Sequence, residues 1–452
     1  LFSIPHFPWA EAAWQLRNQQ DFIGMWDFSI APVLLNCPGA SARGAGGIKK
    51  NKYIRPMNLA DRVHVINEPQ TIAMAKKSRE LAALGHSVIS LSLGEPDFTT
   101  PEHIKNAAKE AIDNNFSYYT PVAGIPELRE AISQKFKTQN NLNYNADQIV
   151  VGTGAKHAIM NTIMALVNPG DEVLIPTPYW VSYSEMVKLV GGVPVFIKGT
   201  IENDFKITAS QLEAAITPKS KAFIFSSPCN PTGSVFSETE LASLVDVFNK
   251  FPEIFIISDE IYEFINFVGK HASIGSFPGM IDRTITINGL SKGFAMTGWR
   301  LGYLGAPKEI AVACEKIQGQ FTSATSGISQ KAAVAALTGD LTPSYEMVKA
   351  FKRRKQIMFD GLSKINGIKM NDPEGAFYFF PDISNFLGKQ YNGEVMHTAT
   401  DLCMYILNTV YVSMVTGEAF GDDNCIRISY ATSDEKLVEA CERIKLALDR
   451  LS

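Results

Sequence analysis

Short apolar runs recur along the middle of this chain, and most lead into small or polar residues and then a stretch of helical pattern. The runs are Ile149–Val151, Val173–Ile175, Ala222–Phe225, Ile254–Ile257, Thr284–Ile287 and Gly302–Leu304. Helical stretches between them include Ala155–Leu166, Ala209–Ile216 and Glu238–Lys250. Runs this short and this apolar read as strands buried on both faces. Strands that alternate with helices pair in parallel, because a parallel connection needs a crossover long enough to hold a helix. The expected fold is therefore α/β, a large domain whose mostly parallel central sheet is sandwiched by helices.

After about residue 345 the pattern changes to a long charged helix, Tyr345–Ile365, then strands, then a last helix, Glu435–Leu451. This reads as a smaller α+β domain. A chain of 452 residues also exceeds the roughly 250–300 residues at which single cores stop growing. Residues 72–84 (IAMAKKSRELAAL) carry helical periodicity. The expected division is an extension over 1–56, an N-terminal segment over 57–103 packing with the small domain, a large domain over 104–345 and a small domain over 346–452.

The extension differs in texture from the rest. It mixes Trp9, Trp14 and Trp26 with prolines, a small-residue stretch from Gly39 to Gly47, and a basic patch of Lys49, Lys50, Lys52 and Arg55. It has few acidic residues, as transit peptides do, yet is poor in arginine and serine. It is expected to be disordered or absent from the mature protein. A net charge of −4 lacks the basic footprint of a nucleic-acid binder. No apolar run approaches the roughly 20 residues that span a bilayer. The six cysteines are scattered without a CxxC pair, which points away from zinc and disulfides and toward a reducing, cytoplasmic setting.

Ligands of α/β sheets gather outside the carboxyl ends of the strands, and four motifs stand at such ends. Val150-Val151-Gly152-Thr153-Gly154-Ala155-Lys156 runs from a strand through small residues into a helix. Backbone N–H groups and the helix dipole suit an anion there, although a plain tight turn reads as well. Ser226-Ser227-Pro228-Cys229-Asn230-Pro231-Thr232-Gly233 is a rigid loop able to aim the Asn230 amide, or an ordinary Asn-Pro turn. Asp259, in Ser258-Asp259-Glu260-Ile261-Tyr262, ends an apolar strand and needs a cationic or hydrogen-bonding partner, unless it caps a helix. Lys292, in Asn288-Gly289-Leu290-Ser291-Lys292-Gly293, follows the strand Thr284–Ile287. A lysine kept from water titrates low and forms Schiff bases, while an isolated one is usually a solvated surface group.

The ordered set GEPDF, YTPVAGIPELR, SPCNPTG, SDEIY, SKGFAMTGWR and CIRISYATS resembles the class I aminotransferases, pyridoxal-phosphate enzymes of fold type I. PYWVSY and AITPKSKA resemble the bacterial-type aspartate aminotransferase branch in particular. The resemblance runs from Met57 to the C-terminus. It implies that Lys292 carries pyridoxal 5′-phosphate and then shuttles a proton. Asp259 would pair with the pyridine nitrogen, Tyr262 and Asn230 would bond the phenolic oxygen, and Trp180 would stack on the ring. Gly154, Ala155, Lys156, Ser291 and Arg300 join the cofactor-binding set, with Arg300 on the phosphate. Tyr119 would reach that phosphate from the neighbouring subunit, so that a homodimer shares its active sites.

The resemblance also implies a substrate clamp. Arg427 matches the arginine that holds the substrate α-carboxylate, and Gly94 offers its backbone nearby, with Trp180 and Asn230 alongside. In one branch an arginine from the other subunit binds a distal carboxylate, but the corresponding stretch here, Glu315 to Gly327 (EKIQGQFTSATSG), holds none. In the branch resembled, a lysine of the phosphate-loop motif serves, and Lys156 stands there; a supporting role at the helix start is the other reading of it. The expected reaction is amino transfer from L-aspartate to 2-oxoglutarate. Broader use of aromatic amino acids, alanine or prephenate, or a lyase on the same fold, are the alternatives. Relatives active on prephenate carry a lysine before an N-terminal proline where this chain has Glu68-Pro69, so an acidic group would oppose that substrate.

Overall fold

Seven strands form the central sheet: β1 (Ile149–Gly152), β2 (Glu172–Thr177), β3 (Val193–Lys198), β4 (Ser220–Ser226), β5 (Phe255–Asp259), β6 (Thr284–Gly289) and β7 (Gly302–Gly305). Their order across the sheet is β1-β7-β6-β5-β4-β2-β3. All pairs are parallel except those of β7, which runs antiparallel to both β1 and β6. This computed structural model describes residues 59–67 and 70–452. The extension over 1–56 and the Glu68–Pro69 pair lie outside the described residues.

The two-faced burial follows from strand geometry. Successive side chains point to opposite faces. In β4, Ala222 and Ile224 pack with residues of the helices Ala155–Leu166 and Lys308–Phe321, while Phe223 and Phe225 pack on the other face with residues of the helix Glu238–Phe248. Both faces are covered, so Ala222–Phe225 are apolar without a break and the run is continuous rather than alternating. The strand β3 was not among the apolar runs. It lies at the sheet edge, pairs only with β2 and is open to solvent at several positions. An edge tolerates Pro194 and Lys198, which break the apolar pattern.

The C-terminal part builds around a three-stranded antiparallel sheet of β8 (Tyr378–Phe379), β9 (Val415–Thr416) and β10 (Ile426–Ser429), ordered β9-β10-β8. It packs with α1 (Thr342–Leu362), α2 (Ala399–Val410) and α3 (Asp434–Leu448) through Phe351, Met358, Leu402, Ile406, Leu437 and Ile444. Ile89–Ser90 pairs in parallel with Val412–Ser413, so the segment before the large sheet is joined to this part. Arg354 of α1 holds Asp97 with two hydrogen bonds of 2.7 and 2.9 Å, lies over the Phe98 ring and also reaches Asp434. A planar guanidinium fits a carboxylate in this forked way. No helix among the described residues is long and apolar enough to cross a membrane.

Phe223 is fully buried between Phe225 and Phe248, with ring centroids 5.3 Å from each. Phe223→Ala should lower stability by about 3–5 kcal/mol, because the rigid sheet cannot collapse into the gap. Equilibrium denaturation measures this, and a loss below about 1 kcal/mol would contradict the packing described.

Candidate active site

The carboxyl edge of the sheet collects chemical groups from most of its strand ends. Gly154, Ala155 and Lys156 follow β1, Trp180 follows β2, Asn230 follows β4, Asp259 ends β5, and Ser291 and Lys292 follow β6. The reversed strand β7 begins at this same edge, so Arg300, two residues before it, arrives among the others. Gly302 sits in register between Gly152 and Gly289. A Cβ on Gly302 would collide with the Ala155 amide nitrogen, and one on Gly154 (φ +94°) would come within 2.6 Å of Arg300 Nη2. Glycine at both places lets the turn, the strand and the arginine close on one another. Arg300 itself has φ 54°, a left-handed backbone that only surrounding structure sustains in a bulky residue.

These ends surround a cavity of about 440 Å³. Of the residues expected at the site, Gly94, Ala155, Lys156, Trp180, Asn230, Asp259, Tyr262, Ser291, Lys292, Arg300 and Arg427 line it. Gly154 lies at its edge, against Arg300. Tyr119 is elsewhere in this single chain, 99% exposed. The cavity is also lined by residues that strand-end reading missed: Arg79, Ser92, Glu95, Tyr183, Thr297 and Tyr378. Tyr183 and Tyr378 stood inside the motif or strand texture already noted, but only tertiary packing gives them partners.

Asp259 is buried and accepts two hydrogen bonds, from Tyr183 Oη at 2.7 Å and from the Ile261 N–H at 3.3 Å. Burial outweighs both and pushes its pKa up to about 6. Lys292 donates from Nζ to the Gly94 carbonyl, and burial brings its pKa down to about 8. Arg427, 2% exposed, donates from Nη1 to Asn230 Oδ1 (3.0 Å) and from Nη2 to the Ser92 carbonyl (2.7 Å). Its guanidinium lies over the Tyr378 and Phe420 rings at 4.7 and 4.8 Å, and its Nε has no partner among the described residues. Tyr378 Oη and Tyr262 Oη are 2.7 Å apart in a hydrogen bond, and burial holds both as neutral phenols. Lys156 Nζ lies 4.9 Å from the Trp180 ring centroid, and burial of its ammonium, then Arg300, pulls its pKa down. Arg300 donates to the carbonyls of Thr297 and Thr153, at 3.0 and 3.3 Å.

Five basic side chains line this cavity against two carboxyls, Glu95 and Asp259. The hydrogen bonds of Lys292, Arg300 and Arg427 among the described residues go to carbonyl oxygens, not carboxylates. Arg427, buried, and Lys292, part-buried, stand without a carboxylate hydrogen-bond partner, and with the exposed Arg300 beside them they call for an anionic ligand. One buried carboxylate set apart from them calls for a cation.

A family model described as aminotransferase class I and II matches residues 86–444, and the chain belongs to that family. It is 47% identical over 399 residues to the bifunctional aspartate aminotransferase and glutamate/aspartate-prephenate aminotransferase of Petunia hybrida, covering 87% of this chain and 83% of that protein. It is 43% identical over 396 residues to an aspartate aminotransferase of Rhizobium meliloti, covering 87% and 97%. The crystal structure of an aspartate aminotransferase from Rhizobium meliloti superposes with a TM-score of 0.85 at 42% identity, over 87% of this chain and 100% of that one. The Thermus thermophilus enzyme with maleate gives 0.82 at 37% identity, over 86% and 99%.

Enzymes of this family use pyridoxal phosphate, and the residues present fit it. The helix Ala155–Leu166 starts on Gly154 with no side-chain cap, leaving its first N–H groups and Arg300 for a phosphate. Asp259 lacks the cation that a protonated ring nitrogen provides. Lys292 supplies an amine of lowered pKa.

The shift of Lys292 predicts a stability signature for the ligand-free protein. Its pKa falls from 10.5 to about 8 on folding. Between those values the unfolded chain holds a proton that the folded chain has released, so stability rises with pH across that window. Denaturation at successive pH values should show this rise in the wild type and a flatter profile in Lys292→Met; parallel profiles would contradict it.

Proposed function

We propose that this chain transfers the amino group of L-aspartate to 2-oxoglutarate, giving oxaloacetate and L-glutamate in a ping-pong cycle, as a cytoplasmic homodimer. The observation that carries the reading is the set of basic groups without carboxylate partners at separate points of the cavity: Arg427 deep inside, Lys156 against Trp180, and Arg300 at the helix start. A dicarboxylic substrate and a phosphate together need that many cationic points.

Bound in the cavity, pyridoxal phosphate supplies the electron sink for breaking bonds at the substrate Cα. Lys292 Nζ would hold the cofactor and, as a free amine, would take up and move the substrate's Cα proton. A pKa of about 8 leaves a useful fraction of free amine near neutrality. Asp259 would pair with the ring nitrogen, Tyr262 and Asn230 would hydrogen-bond the phenolic oxygen, and Trp180 would cover the ring face. The N–H of Ala155, with Gly154, Ser291 and Arg300, would hold the phosphate. Arg427 grips the α-carboxylate, with Gly94 beside it, and Lys156 takes the distal carboxylate. Asn230 already bonds Arg427, so cofactor and substrate contacts are coupled through one amide.

The site closes, in this reading, when the N-terminal segment (57–103) and the small domain (346–452) move on the large domain (104–345) and expel water. The Arg354–Asp97 pair ties the Gly94 segment to α1, so that in this reading the two would move together. Tyr119, exposed in the single chain, completes the phosphate site of a neighbouring copy. Prephenate as an alternative 2-oxo acid is favoured by the name of the Petunia relative and opposed by Glu68.

The assay is direct: protein loaded with pyridoxal phosphate should form oxaloacetate from L-aspartate over many turnovers only while 2-oxoglutarate is present, and no more than one equivalent per site without it. Preferential use of L-alanine or an aromatic donor would overturn the aspartate assignment. Lys156→Ala should raise KM for aspartate by about tenfold or more and leave a poor donor such as alanine little changed, since a charged hydrogen bond is worth about 1.5–3 kcal/mol. The shared site is tested by mixing subunits. Tyr119→Ala and Lys292→Ala homodimers should each be impaired, while subunit exchange between them should restore one complete site per mixed dimer; no recovery after exchange would contradict sharing.

A further inference from the structure

We infer that Tyr183 is a positioning residue for the cofactor ring, holding the Asp259 carboxylate ionised and turned toward the ring nitrogen. The inference rests on the cofactor reading above and extends it to a residue outside the set given there.

Tyr183 lies near the start of the helix Ser182–Leu189, just after the carboxyl end of β2, and is 1% exposed. Its hydroxyl donates to Asp259 Oδ2 at 2.7 Å, while the Ile261 N–H approaches Oδ1 at 3.3 Å. Two donors, one on each oxygen, fix the plane of the carboxyl group and leave lone pairs on both oxygens for a third. The direction of the Tyr183 bond is settled by burial and by Asp259 itself, which hold the phenol far above its ordinary pKa. The proton therefore stays on tyrosine and the charge on aspartate. A charge-assisted O–H···O bond of this kind is strong where water is excluded.

The bond opposes a specific cost. Burial drives Asp259 toward its neutral form, and Tyr183 is the first contribution pulling the other way. A neutral acid cannot pair with a protonated ring nitrogen, so an aspartate left without Tyr183 would meet the ring in the wrong charge state. The same tyrosine packs edge-on against Trp180, with ring centroids 5.4 Å apart and planes at 85°. One short segment thus sets both the ring that covers the cofactor and the donor that orients its charge partner.

A purely structural tyrosine would also be buried here, since Tyr183 belongs to the apolar layer beside Val173 and Ile224. The test separates the two roles by the ligand. Tyr183→Phe keeps the ring and its packing and removes only the hydroxyl. Dissociation constants are measured for pyridoxal phosphate and for its 1-deaza analogue, in which a C–H replaces the ring nitrogen, on wild type, Tyr183→Phe, Asp259→Asn and the double variant. Thermal melting of the cofactor-free forms checks folding.

The expected result is a loss of about tenfold or more in affinity for pyridoxal phosphate on Tyr183→Phe, little change for the deaza analogue, and no further loss when Tyr183→Phe is added to Asp259→Asn. Equal losses for both ligands, or none for either, would overturn the inference while leaving the cofactor reading intact. Should Tyr183→Phe fail to fold, an Asp259→Asn variant that discriminates between the two ligands no less well than wild type overturns it as well. Wild-type protein that binds neither ligand would overturn the cofactor reading, and this inference with it.

Discussion

Asp259, Lys292 and Arg427 are held out of water around one cavity with almost no opposite charge beside them. Desolvating three charged groups is costly, and much of the surrounding architecture serves to keep them in place. The strand β5 delivers Asp259, the turn after β6 delivers Lys292, and β10 delivers Arg427 from the smaller sheet. Each is steadied by neutral groups: a phenol, a carbonyl, an amide and two aromatic faces. Neutral partners orient a charge without cancelling it, so each charge remains available to a ligand.

The fold supplies such neutral scaffolding because both faces of its sheet are closed. With helices on either side, the carboxyl edge is where strand ends meet open space. The antiparallel β7 adds Arg300 to that edge from the opposite chain direction. Gly302 then lets the turn at Gly154 and Ala155 lie directly on the strand. Chain reversal and missing side chains are here parts of a single binding surface.

Much of this was legible in the sequence for a physical reason. A strand buried on both faces is largely apolar, so the runs Ile254–Ile257 and Thr284–Ile287 marked the strand ends at which Asp259 and Lys292 stand, while the ordered set of motifs, not position alone, singled those residues out. The edge strand β3 was not legible, because half-exposed strands carry prolines and lysines like loops. Tyr183 and Tyr378 were not legible as site residues either. A buried tyrosine reads as core until its hydroxyl is seen against Asp259 or Tyr262. Arg354 and Asp97 lie 257 positions apart, and no local pattern announces their pairing.

The account stands or falls on Lys292 as the point at which the cofactor is held and released. The most direct measurement is the visible absorption of the purified protein with pyridoxal phosphate, before and after L-aspartate, and then after 2-oxoglutarate. The account predicts a protein-bound band that aspartate bleaches and 2-oxoglutarate restores, and that is missing from Lys292→Ala. A band that persists in Lys292→Ala, or wild-type protein that forms none, would contradict it.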